Sequence, residues 1–205
     1  MKRKLLLSAG LFAALASIAA GAGAVDVPTP RQGTMGQAVS LPPYLQCVPY
    51  ARQLTGINIF GDAHTWWGQA EGRYARGYKP RVGAVLALRP HGGSRLGHVA
   101  AVSKIVDSRT LLVRHSNWSP INGRRGQIED NVRVVDVSPA NDWSAVRVWY
   151  APLKDLGGTH WPVQGFIYPA KPKKGESLKD RPVPKNLPRG SDDPIGSLIA
   201  DRMGW

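Results

Sequence analysis

The strongest constraint on the fold is a change of period along the chain. From residue 83 onward come "GAVLALRP" (83–90), "HVAAVSKIVD" (98–107), "TLLVRHSNW" (110–118), "NVRVVDVS" (131–138) and "AVRVWY" (145–150). These are short β-branched and apolar runs separated by turn residues, the pattern of strands. In the last two, valine alternates with arginine or aspartate, as in antiparallel strands with one solvated face. Upstream the pattern is helical. Leu45, Val48, Tyr50, Ala51 and Leu54 recur at loosely helical spacing, and Gly56 ends the run. Pro49 fits only in the first turn of such a helix, where its missing N–H costs little. A second helix is predicted through "GDAHTWWGQAEG", with Asp62 as N-cap and Gly72 as stop. Two N-terminal helices packed on an antiparallel sheet of about five strands make an α+β domain.

The remaining chain divides by composition. "MKRKLLLSAGLFAALASIAAGAGA" has a basic start, an apolar run and an Ala22-Gly23-Ala24 site, the three parts of a secretory signal peptide. An uncleaved anchor is the competing reading, but the apolar run is short for a span of about 20 residues. The expected organisation is therefore a signal peptide (1–24), an extended Pro-rich lead-in (25–43), the folded domain (44–152), an extension packing on it (153–170) and a tail (171–205). The tail opens with "KPKKGESLKDRPVPKNLPRGSDDP", basic, Pro-rich and nearly without apolar residues. Such a segment buries too little to offset its ordering entropy and is expected to be flexible. Its end, "IGSLIADRMGW", has the pattern of a short amphipathic helix or contact peptide.

Charge narrows the partners. In 205 residues, Lys+Arg 27 against Asp+Glu 14 gives +13. Loss of Lys2, Arg3 and Lys4 with the signal peptide would leave the mature chain still strongly basic. A charge of this sign seeks polyanions. Export to the periplasm or the extracellular space makes nucleic acid a poor partner and an anionic polymer of the cell envelope a good one. No membrane span is expected after cleavage.

The chain has one cysteine, Cys47, in "YLQCVPYARQL". An unpaired thiol in an oxidising compartment is chemically exposed. Buried free cysteines behave as small hydrophobes, but Cys47 is predicted at the start of a helix. There the positive end of the helix dipole and the free N–H groups lower a thiol pKa, and the same N–H groups can hold an oxyanion. Gln46 can add a side-chain donor. A nucleophilic thiol needs a base, and of five histidines His98 fits best, because it follows Gly97 and opens an apolar strand. His91 and His160 lie in Gly/Pro-rich turns, and His64 lies near Trp66 and Trp67. The base needs an orienting partner. Alternation in "TLLVRHSNW" puts Leu111, Val113, His115 and Asn117 on one face, so His115 and Asn117 fall at the sheet end on the buried side. Trp66, Trp67 and Trp118 are core or groove-wall residues.

In order and spacing, "QC" opening a helix, "GDAHTWW", "RVGAVLAL", "GHVAAV" and "VRHSNW" resemble the CHAP domain, over about residues 40–152. CHAP domains are cysteine, histidine-dependent amidohydrolases/peptidases of papain-like fold, and many cleave amide bonds in peptidoglycan. The resemblance implies Cys47 as nucleophile and His98 as general base. The family commonly has an acidic residue two positions before the Asn of its "ExNW" motif, where this chain has His115. Two third members therefore stay open. His115 can accept the His98 N–H, as in the Cys–His–His set of the related NlpC-like peptidases, or Asn117 can do so through its side-chain oxygen. Gln46, Trp66 and Trp118 are the expected oxyanion or groove residues. No metal spacing and no phosphate-binding loop is seen, and no cofactor is expected. The expected activity is cleavage of peptidoglycan amides as amidase or endopeptidase. A non-catalytic wall-binding module on the same fold, and a cysteine amidase or peptidase with another substrate, are the alternatives.

Overall fold

The computed structural model describes residues 44–175 and 177–188, all within one unit, Leu41–Trp205. The expected signal peptide, lead-in and C-terminal "IGSLIADRMGW" lie outside the described residues. The first helix, α1, is Cys47–Thr55. Val48, Tyr50 and Ala51 are its buried residues, Pro49 lies in its first turn, and Gly56 closes it at φ 70 with its N–H on Arg52 O. The second helical stretch is shorter than predicted. A 3₁₀ turn, Ala63–Thr65, leads into α2, Trp66–Gln69, and Asp62 makes no side-chain cap bond. A helix of one turn is what remains when the cap is unused.

Among the described residues eight strands follow: β1 Arg76–Gly77, β2 Val85–Leu88, β3 His98–Ile105, β4 Thr110–Ser116, β5 Ile128–Asp136, β6 Ala145–Tyr150, β7 Asp155–Leu156 and β8 Trp161–Ile167. They form one sheet in the order β1-β8-β2-β3-β4-β5-β6-β7, and β8 also pairs with β6. That extra pairing, Ala145↔Pro162 and Val146↔Trp161, closes β2, β3, β4, β5, β6 and β8 into a barrel-like ring. The five expected strands are present. The structure corrects the count to eight, because two-residue strands carry no periodic signal, and Pro162 and Gly165 interrupt the apolar run of β8.

The core has two parts, separated by the sheet. Leu86, Leu88, Ala100, Val102, Leu111, Val113, Val134, Val148 and Phe166 belong to one cluster. Val85, Ala87, Val99 and Ile167 pack instead with Val48, Ala51, Ile57 and Trp66 of the helical side. Successive side chains of a strand point to opposite faces, so β2 and the first half of β3 are buried throughout. Helix α1 is thereby held against the face of the sheet where β3 begins.

The segment expected to be a flexible tail is not free over residues 177–188. Leu178 packs on the helical-side cluster. Asp180 Oδ1 accepts the Trp67 indole N–H at 2.6 Å, and the Tyr78 hydroxyl donates to Lys179 O. Arg89 Nη2 donates to Arg181 O at 2.9 Å, and His160 N donates to Pro188 O at 3.1 Å. The Arg181 guanidinium lies 4.0 Å from the Tyr78 ring centroid. Backbone carbonyls and a cation–π contact hold a segment whose composition has few apolar residues to bury.

Candidate active site

The start of α1 is fixed from outside the helix. Leu45 N donates to Gly126 O at 3.1 Å. Gly126 has φ 91, and a Cβ there would stand 2.7 Å from Tyr44 Cα, so only glycine lets the two backbones meet. Gln46 is the N-cap, extended at φ −83 and ψ 155. Its side chain is exposed and makes no cap bond. Cys47 is the first helical residue, half-buried and unpaired. No acidic side chain occupies the first turn of α1.

The expected depression of the thiol pKa is corrected. Burial pushes the Cys47 thiol up, and the backbone N–H groups of Val99, Val48 and Cys47 itself only partly offset it. A helix-end dipole is a weaker influence on this sulfur than its loss of hydration. The same contacts locate the thiol: the N–H of Val99, the residue after His98, faces it.

His98 opens β3 directly after Gly97, at φ 66, where a Cβ would stand 2.5 Å from Leu88 O. His98 and His115 are both buried. His98 Nε2 lies 3.1 Å from His115 Nδ1, with ring planes at 85°. The Trp118 ring covers both, its centroid 4.9 Å from that of His98 and 5.7 Å from that of His115. Trp118 is itself anchored through Nε1 to Trp149 O at 3.0 Å. Burial, helped by Arg125, pulls His98 down to about 3. Burial and the neighbouring His98 hold His115 well below the usual histidine value. At neutral pH the pair is uncharged, so across the 3.1 Å contact one ring donates and the other accepts.

Asn117 does not join this pair. Its φ of 60 ends the strand alternation, its N–H goes to Gln127 O, and its Oδ1 is buried without a hydrogen-bond partner. Trp66 is fully buried in the helical-side core and is not a groove wall. Trp67 is likewise core.

Three residues went unnoticed in the sequence. Trp161, on β8, meets Trp118 with centroids 5.0 Å apart. Arg125 donates to Trp118 O at 2.7 Å. Glu129, directly opposite His115 in the β4–β5 register, is buried, and its Oε1 accepts Ser119 N at 2.7 Å. A register argument across the turn between β4 and β5 was the one signal that could have found Glu129. Among the described residues no group of three or more His, Cys, Asp or Glu is arranged to hold a metal ion.

No curated protein matches the chain. Residues 37–117 match the family model of the CHAP domain, from the lead-in through β2, β3 and β4 to Asn117. The matched stretch contains Cys47 at the start of α1, whose thiol is faced by the Val99 N–H, and the touching pair His98 and His115. Residues 37–117 are thus similar to the CHAP domain family, whose members are typically amidase or peptidase hydrolases.

Proposed function

We propose that the protein is an exported cysteine hydrolase that cleaves amide bonds in peptidoglycan through an acyl-enzyme. One observation carries the reading: the 3.1 Å contact of His98 Nε2 with His115 Nδ1, beside a helix-start thiol faced by the Val99 N–H. His98 Nε2–H donates to His115 Nδ1, which leaves His98 Nδ1 free to take a proton. The Cys47 sulfur attacks the amide carbonyl, an S–C bond forms, and the thiol proton passes to His98 Nδ1. Because thiol and imidazole are both neutral at rest, proton transfer accompanies attack rather than preceding it. Free N–H groups at the start of α1 stabilise the oxyanion. The C–N bond then breaks, and His98 returns the proton to the leaving amine. Water, deprotonated by His98, attacks the thioester, the C–S bond breaks, His98 returns the proton to the Cys47 sulfur, and the acid departs.

The wall as substrate is supported by a charge of +13 that stays strongly positive without Lys2, Arg3 and Lys4, and by the signal-peptide pattern of residues 1–24. Electrostatic attraction to an anionic polymer weakens with salt. Mass spectrometry of fragments released from purified peptidoglycan tests the proposal and names the scissile bond. Release by the wild type and none by Cys47→Ala is the expected result. Binding to wall without release by either protein would favour the non-catalytic module.

A further inference from the structure

The protons of the histidine pair can be counted one residue further. For His98 Nδ1 to act as base, His98 must carry its proton on Nε2 and donate to His115 Nδ1. His115 is neutral, so its single proton must then sit on Nε2. Nothing in the pair itself selects that tautomer. His115 Nε2 is buried and has no hydrogen-bond partner, which is a costly state for a polar atom. The Glu129 carboxylate faces it, with Oε1 3.9 Å from His115 Nε2 and both side chains nearly inaccessible. That separation is longer than a hydrogen bond, and catalytic contacts often tighten when substrate binds.

We propose that Glu129 is a positioning residue: its carboxylate fixes the proton of His115 on Nε2, and so keeps His98 in the tautomer that can deprotonate Cys47. The proposal rests on the reading of Cys47 and His98 as nucleophile and base. It restores, from β5, a carboxylate to the relay of a chain that has His115 where the family motif has an acid. Glu129 is itself held by the Ser119 N–H and faced by Arg125, and these favour the ionised form against the burial that pushes its carboxyl up. The charged and titratable groups around His115 are His98 on β3, Glu129 on β5 and Arg125 in the loop before β5. If Glu129 takes up a proton it becomes a donor to His115 Nε2. Both tautomers then reverse, His98 Nδ1 gains a hydrogen, and the base is lost.

The test combines spectroscopy with two variants of the full chain. Nitrogen-15 NMR of the wild type at neutral pH should show His115 protonated on Nε2 and bare on Nδ1. Acidification through the Glu129 titration should switch that pattern. Glu129→Gln keeps an acceptor oxygen but cannot take up a proton, so it should lower kcat at neutral pH less than Glu129→Leu does and should lack the wild-type acid limb. Glu129→Leu, checked for folding by circular dichroism, should lower kcat about 100-fold or more, the scale of a misplaced histidine tautomer, with KM unchanged. A wild-type His115 protonated on Nδ1, or a folded Glu129→Leu that keeps its kcat, overturns the proposal. The NMR measurement needs no substrate, so it judges Glu129 even if the wild type releases nothing from peptidoglycan.

Discussion

His98 and His115 meet edge to face, ring centroids 5.0 Å apart, in a pocket that lowers the basicity of both. A carboxylate in the place of His115 would favour an imidazolium at His98. A buried neutral imidazole orients the base without charging it. In the proposed mechanism such a relay moves one proton during attack and stores no thiolate.

This arrangement predicts the ranking of three substitutions. His98→Ala should abolish amide cleavage as completely as Cys47→Ala, because groups that act as a unit are not additive. His115→Ala should lower kcat by about 10²- to 10⁴-fold through loss of orientation. Asn117→Ala, whose side-chain oxygen meets neither histidine, should cost less than about tenfold. A larger loss at Asn117 than at His115 would exchange their assigned roles.

The thiol supplies a second prediction. Burial holds the Cys47 pKa above its ordinary value of 9.0, so little thiolate exists at neutral pH. Alkylation by iodoacetamide should be slow at pH 7 and still rising beyond pH 9. A plateau reached by pH 7 would show instead a thiolate–imidazolium pair.

Stability should fall with acidification, and the sign follows from proton counts. Unfolded, each histidine binds a proton near pH 6.5; folded, His98 does so only at about 3 and His115 well below the usual value. Between these limits the unfolded state holds more protons, so stability drops as pH falls, by at most about 1.4 kcal/mol per pH unit for each histidine. Glu129 acts in the opposite sense, since its raised carboxyl costs stability above pH 4.5. Urea midpoints measured at pH 7 and pH 5 should therefore decline in the wild type. They should converge in a His98→Gln, His115→Gln double variant, and equal slopes in the two proteins would contradict the buried-neutral assignment.

The docked segment yields a fourth prediction. Asp180→Ala removes the acceptor of the part-buried Trp67 indole N–H and should cost about 1.5 kcal/mol, the scale of a charge-assisted hydrogen bond. Truncation after Ala170 should cost more, because Leu178 and Arg181 leave with it. Chemical denaturation of the three proteins checks this; identical midpoints would mean that the contacts do not persist in solution.

What the sequence revealed follows the reach of its signals. Cys47 at a helix start and His98 at a strand start were legible, because Gly97, Pro49 and Gly56 mark chain geometry within a few residues. The burial of Leu111, Val113 and His115 on one side followed from alternation. Asn117 was assigned to the same face, but its left-handed backbone breaks the alternation one residue past the strand. The ionisation of Cys47 was misjudged because a helix end is local, whereas the burial that opposes it comes from elements distant in sequence. Glu129 escaped for a related reason. Its significance depends on a register between strands separated by the turn at Ile121 to Arg124, not on any spacing along the chain. Residues 177–188 are held in part through the backbone carbonyls of Lys179, Arg181 and Pro188, which have no residue type.

The pairing of β6 with β8 has a kinetic meaning. Val85 is bonded across β2 to Ala101 on one side and to Ile167 on the other, so one partner is available early and the other only when nearly the whole domain exists. Contacts between distant parts of a chain form late and slowly. Until Ile167 emerges, β2 and β6 are open edges that another chain can pair with. A slow arrival of the last strand therefore lengthens the time for which these edges stay exposed to other chains.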